Sequence, residues 1–221
     1  MKKGALFIVA AVGLLLVFLF GTLIYKSVKS DSSAQLAEGN RVHLVRMHSP
    51  TLGKDDAPVV IVEFLDPACA TCREFYPLVK KMMAANPDRI RLVLRYAPFH
   101  DGSDKVVAVL AAARKQGKFW PALEALLAAQ AQWVLDHKPQ VALVWKHLEG
   151  LGLNLEQLRT DMAAPEIARM IAQDLEDARV LNVTKTPEFF VNGKPLPSFG
   201  YDPLKDLVDK TLASARRAGE S

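Results

Sequence analysis

Strand character from Val59 to Leu65, helical periodicity from Cys69 to about Ala85, and strand character again from Ile90 to Tyr96 follow one another within about 40 residues. This spacing constrains the fold more than any other feature, because two strands joined through one helix are expected to pair in parallel with a right-handed crossover. The first run, Val59-Val60-Ile61-Val62-Glu63-Phe64-Leu65, lacks strict apolar–polar alternation, which predicts a central strand covered on both faces. Glu63 is the anomaly in it. Asp66-Pro67-Ala68 ends the strand, and the following helix carries Phe75, Leu78, Val79 and Met82 on one stripe.

From Ser103 to about Val180 the pattern is helical: Val106, Val109 and Leu110, then Phe119 to Trp133, Val141 to Leu148, Leu155 to Met162 and Ile167 to Leu181, separated by Gly or Pro. Phe119, Trp120, Trp133 and Trp145 are assigned to the core of this block. Strand character returns at Glu188-Phe189-Phe190-Val191. Asn192-Gly193 and the stretch from Lys194 to Phe199 complete a hairpin signal, and Asp202 to Arg217 closes the chain as an amphipathic helix. The expected class is α/β, in the order βαβ, helical insertion at about 103–180, ββα.

The charge balance is weak, 28 Lys+Arg against 24 Asp+Glu, which argues against nucleic acid as a partner. The run from Gly4 to Tyr25 is uncharged and apolar on every face, and as a helix it would span about 33 Å, enough to cross a bilayer once. Lys2 and Lys3 precede it as for a cytoplasmic start, while Lys26 and Lys29 beyond it blunt that argument. A cleaved signal peptide competes, but Thr22-Leu23-Ile24-Tyr25-Lys26 offers no small-residue cleavage site. The expected layout is an anchor at 1–26, a polar tether at 27–48 and one domain at 49–217.

Only two cysteines are present, so a disulfide-stapled scaffold is excluded, and they stand as Cys69-Ala70-Thr71-Cys72 where strand gives way to helix. Unsatisfied N–H groups and the positive end of a helix dipole stabilise a thiolate there, which makes Cys69 the attacking group and leaves Cys72, one turn inside, as the resolving thiol. The pair lies within disulfide reach and can cycle between dithiol and disulfide. The alternatives are weaker. A zinc site needs two more ligands, and His43, His48, His100, His137 and His147 show no ligand spacing. Covalent haem needs His where Arg73 stands. A purely structural disulfide would close too short a loop to stabilise much, and inert buried thiols fit poorly with an anchored domain.

With these motifs assembled, the stretch from Ser49 to Ala213 resembles the thioredoxin superfamily, and within it the DsbA-like thiol:disulfide oxidoreductases of the bacterial periplasm. The resemblance is carried by Val62-Glu63-Phe64 before the first cysteine, the Cys-x-x-Cys, Pro77, Gln116-Gly117-Lys118-Phe119-Trp120, and Thr186-Pro187 before the Asn192-Gly193 turn. It implies a thioredoxin-like fold, a cis Thr186–Pro187 bond beside the cysteines, and substrate binding by Thr186, Pro187, Ala70 and Thr71. It places Glu63 beneath Cys72 as a buried acid, where desolvation would let it take the Cys72 proton; a structural pairing of Glu63 with Arg95 on the next strand is the alternative. Where strongly oxidising members carry Pro-His, this chain has Ala70-Thr71, which leaves the direction of electron flow open. Arg73 reads as surface.

The expected function is disulfide exchange with protein cysteines through a redox-active Cys69–Cys72 pair with no other cofactor and no metal. The protein is expected as a monomer on the periplasmic side of a bacterial inner membrane, served by a membrane or periplasmic redox partner. A Cu(I) delivery protein using the same dithiol is the rival, and the lack of a Met or His cluster beside the pair argues against it.

Overall fold

A computed structural model of the chain describes residue 13, residues 39–40 and residues 42–219. The chain divides into two units, Met1–Gly39 and Asn40–Ser221, and the second is described below. The anchor expected at 1–26 lies outside the described residues but for residue 13, as does most of the tether; among the described residues no helix is long and apolar enough to cross a membrane.

The sheet has five strands, β1 (Thr51–Leu52), β2 (Val59–Leu65), β3 (Ile90–Tyr96), β6 (Glu188–Val191) and β7 (Lys194–Pro195), in spatial order β1-β3-β2-β6-β7. β2 pairs with β3 in parallel through α1 (Ala70–Ala85) and with β6 antiparallel, so β2 is the central strand that its unbroken apolar run required. Its residues divide between the faces: Val59, Ile61 and Leu65 join the main core with α1 and α8 (Tyr201–Gly219), while Val62 and Phe64 pack with Val93, Phe190, Ala178 and Leu44 on the other side. The Asn192-Gly193 turn has positive φ at both positions (46° and 81°), the geometry a tight hairpin needs. Strand β7 ends at Pro195, short of the expected Phe199, because Pro195 and Pro197 have no N–H to give the ladder.

Between β3 and β6 lies the helical insertion, α2 (Ser103–Lys115), α3 (Phe119–Ala128), α4 (Gln130–Trp133), α5 (Val141–Val144) with a 3-10 turn at Trp145–His147, α6 (Leu155–Met162) and α7 (Pro165–Val180). The stretch from Phe119 to Trp133, read as one helix, is divided at Ala129. It runs into a small hairpin, β4 (Val134–Leu135) and β5 (Lys138–Pro139), turned by Asp136 and His137 at positive φ. Phe119 and Trp133 are core as expected, with Trp120 and Trp145 packed against it. Gln116 of the Gln-Gly-Lys-Phe-Trp motif clasps the start of α6, donating to the Asn154 carbonyl (3.1 Å) and accepting from the Asn154 N–H (2.8 Å).

Two expectations are corrected here. Arg95 does not pair with Glu63: it sits opposite Phe64, one step along the parallel ladder, and alternation turns it to the other face of the sheet. There its buried guanidinium bonds Asp174 (2.7 Å) and Asp177 (2.6 Å) of α7. The end of the segment read as a tether is part of the domain. Leu44 is buried, His43 and Arg46 bond Asp177 (2.8 and 2.6 Å), and His48 bonds Asp174 (2.6 Å). The Asp177 carboxyl is pushed up by burial, yet hydrogen bonds from Arg46, His43 and Arg95 outweigh this and hold it well below the usual carboxylate range.

Candidate active site

Sequence order dictates the site. The central strand β2 ends at Leu65, the turn Asp66-Pro67-Ala68 redirects the chain, and Cys69 is the N-cap residue of α1 with extended backbone (φ −76°, ψ 121°). An N-cap side chain faces the free N–H groups of the first helical turn. Cys69 fills that position with a thiol, and no side-chain oxygen caps α1. Both cysteines are free; Cys69 is 7% exposed and Cys72 is fully buried.

The two thiols are made unlike by their surroundings. The Cys72 thiol donates to Cys69 Sγ, and the Thr186 side chain and the N–H groups of Cys72 and Thr71 add further donors; against the opposing push of burial, they bring the Cys69 thiol down to about 5. Burial, the bond to Cys69 and the nearby Glu63 carboxyl all push the Cys72 thiol well up. At neutral pH the pair is therefore one thiolate and one thiol, with the thiolate on the more accessible sulfur.

Glu63 lies on the β2 face that holds Ile61 and Leu65, opposite Leu94 of β3 and Phe189 of β6. It is fully buried and neither carboxyl oxygen has a hydrogen-bond partner. Burial, and then the negative charge on Cys69, raise its carboxyl to about 8. An acid left unpaired in this way holds its proton at neutral pH.

The Thr186–Pro187 peptide is cis, Pro187 is buried, and Cys69 Sγ reaches the Thr186 carbonyl at 3.2 Å. Ala70 is exposed and Thr71 half-buried on the rim, and Arg73 is partly exposed beside Glu74. The structure thus brings Cys69, Cys72, Glu63, Thr186, Pro187, Ala70 and Thr71 to one end of the central strand. It adds residues that sequence reasoning missed. Asp66 is fully buried, accepting at one oxygen from the Ala68 N–H (2.9 Å) and the Ser103 hydroxyl, and at the other from the His100 N–H (2.8 Å) and Nδ1 (2.7 Å). Gln130, from α4, donates to the carbonyls of Pro67 (2.8 Å) and Cys69 (3.0 Å). Asp66 beside Pro67 was legible only as a strand breaker; nothing in the sequence links Gln130 to a turn so far from it.

Fold and site together define a dithiol protein built on a thioredoxin-like core, its cysteines at a helix N-terminus against a cis-proline loop. A sequence model of the family described as Thioredoxin matches residues 46–210, and the chain belongs to that family. Among the relatives, the probable disulfide bond formation protein D of Bacillus anthracis is 28% identical over 222 residues, covering 96% of this chain and 97% of that protein. The Na+/H+ antiporter NhaA 3 of Salinispora tropica is 32% identical over 168 residues, covering 74% of this chain and 25% of that protein, so the chain spans about a quarter of such relatives. Of solved structures, a thioredoxin-like oxidoreductase from Silicibacter pomeroyi aligns with a TM-score of 0.65 at 34% identity, covering 75% of this chain and 92% of that one. Oxidised BdbD of Bacillus subtilis aligns with 0.66 at 26%, covering 75% and 94%.

Proposed function

We propose that this protein is a protein thiol:disulfide oxidoreductase that exchanges disulfides with the cysteines of protein substrates. The observation that carries the reading is the placement of the two thiols: Cys69 at the N-cap of α1, 3.2 Å from the carbonyl of the cis-bonded Thr186, and Cys72 one turn inside and fully buried. The disulfide formation proteins among its relatives support it. A stabilised Cys69 thiolate also favours the dithiol form over the disulfide, which supports donation of disulfides to substrates as the working direction. We place the domain on the periplasmic side of a bacterial inner membrane, as a monomer anchored through residues 1–26 and recycled by a membrane or periplasmic redox partner. The redox-active Cys69–Cys72 pair serves as its only prosthetic chemistry.

In that direction a substrate thiolate attacks Cys69 Sγ of the disulfide. The Cys69–Cys72 bond breaks, and Cys72 leaves as a thiolate that takes the proton held by Glu63. A second substrate thiol then loses its proton to solvent and attacks the substrate sulfur of the mixed disulfide; the substrate disulfide forms, Cys69 departs as the stabilised thiolate, and a proton from solvent returns to Glu63, which the new charge on Cys69 raises again. In reverse, once Cys69 is tied up in the mixed disulfide, its charge no longer raises Glu63. The carboxyl ionises more readily and can take the Cys72 proton as that sulfur attacks. An extended substrate segment is held against the Thr186 backbone beside Pro187 and over Ala70 and Thr71.

The test uses a reduced peptide carrying two cysteines and the oxidised protein. The peptide should be oxidised at a rate that saturates with enzyme. Offered the same peptide in its disulfide form, Cys72→Ser should accumulate a mixed disulfide at Cys69, since the Cys69 thiolate attacks the peptide disulfide and nothing resolves the product, and Cys69→Ser should accumulate none. Failure of the unaltered protein to exchange with the peptide overturns the proposal.

A further inference from the structure

Gln130 is the first residue of the four-residue helix α4, and it is 2% exposed. A buried glutamine is tolerated when its amide is bonded, and both partners of this one lie in the cysteine turn, the carbonyls of Pro67 and Cys69. The Cys69 carbonyl also accepts the Arg73 N–H (3.2 Å), the first bond of α1, while the Cys69 N–H donates to the Asp66 carbonyl (3.0 Å). Asp66 is tied in turn to the start of α2 through Ser103 and to the loop before it through His100. The cysteine turn is therefore gripped from two sides by the segment between β3 and β6.

We propose that Gln130, with Asp66, positions the Cys69 backbone for disulfide exchange, which makes the helical insertion part of the redox site and not only a cover over it. The inference rests on the exchange chemistry proposed above. The Cys69 sulfur sits at the N-terminus of its own helix and 3.2 Å from the Thr186 carbonyl, and how it meets both depends on the backbone torsions of Cys69. The sulfur gains a charge in the dithiol form and loses it in the disulfide, so loss of the Gln130 donors weakens the two forms unequally. A residue that only held the turn together would weaken both forms alike and leave the redox equilibrium where it was, because that equilibrium responds only to the difference.

The experiment equilibrates the full-length protein with glutathione and follows alkylation of Cys69 against pH, for the unaltered protein and for Gln130→Met, which keeps length and removes the donors. Gln130→Met should lower the equilibrium constant for reducing the site about tenfold, equivalent to about 30 mV, and raise the alkylation midpoint. A variant folded but unchanged in both overturns the positioning role, even if its melting temperature falls. A second measurement needs no variant: the Gln130 side-chain amide protons of the unaltered protein should exchange slowly with solvent and change resonance between dithiol and disulfide forms. Fast exchange, or resonances blind to the redox state, overturns the proposal. An unaltered protein that does not equilibrate with glutathione overturns the proposed function instead, and the two failures are distinct.

Discussion

Replacing Glu63 by Leu should stabilise the protein, by an amount that depends on pH in a way packing cannot imitate. The carboxyl is raised from 4.5 to about 8. Between those values the folded chain holds a proton that the unfolded chain has released, so stability falls as pH rises, by about 1.4 kcal/mol per pH unit. The pH-dependent part of the cost is near zero below pH 4, about 3 kcal/mol at pH 7, and levels off near 5 kcal/mol above pH 8. Glu63→Leu removes it and puts an alkyl side chain beside Leu94 and Phe189, a packing change that shifts the whole curve by a constant of about 1 kcal/mol in either direction. Urea unfolding of both dithiol proteins in excess reductant, from pH 4 to 8.5, measures the difference directly. The gap should widen with pH over this range. Parallel stability curves would refute the claim that Glu63 is buried as an unpaired acid. The same variant should turn over the peptide more slowly, by about a hundredfold or more if Glu63 handles the Cys72 proton.

Alkylation of the dithiol protein by iodoacetamide should show a midpoint near pH 5 for Cys69, and Cys72→Ala, which removes the first of its donors, should move that midpoint upward; a midpoint near 9 in the unaltered protein would contradict the site described. Asp174→Asn takes a buried counter-charge from Arg95 and should destabilise the fold by about 3–5 kcal/mol in urea. A loss below about 1 kcal/mol would show that the cluster does not tie residues 43–48 to α7.

How much was legible follows the range of each interaction. The βαβ unit, the Asn192-Gly193 turn and the final helix are written in local periodicity and turn chemistry, and the structure has them all. The ends of elements were less legible: β7 stops at Pro195 because the prolines that follow cannot donate, and the helix through Trp133 breaks at Ala129 where packing, not propensity, decides. The acid at position 63 stood out because it interrupts an apolar run. Its freedom from Arg95 did not, since the choice turns on which way alternate residues face once β2 and β3 are in register.

The fold class and the place of the dithiol follow from the chain alone, because a strand end, a breaking turn and a helix start are adjacent in it and their chemistry is local. The chain also carried the thiolate argument, since a helix N-terminus stabilises negative charge wherever it forms. Tertiary structure alone decided how unlike the two sulfurs are and what holds them. Burial of Cys72 and Glu63 requires the closed core, Thr186 reaches Cys69 only through the sheet, and Gln130 and Asp66 meet at the cysteine turn because the insertion folds back over it. Each of these joins residues far apart in the chain, and no local pattern records a contact that exists only once the chain has packed.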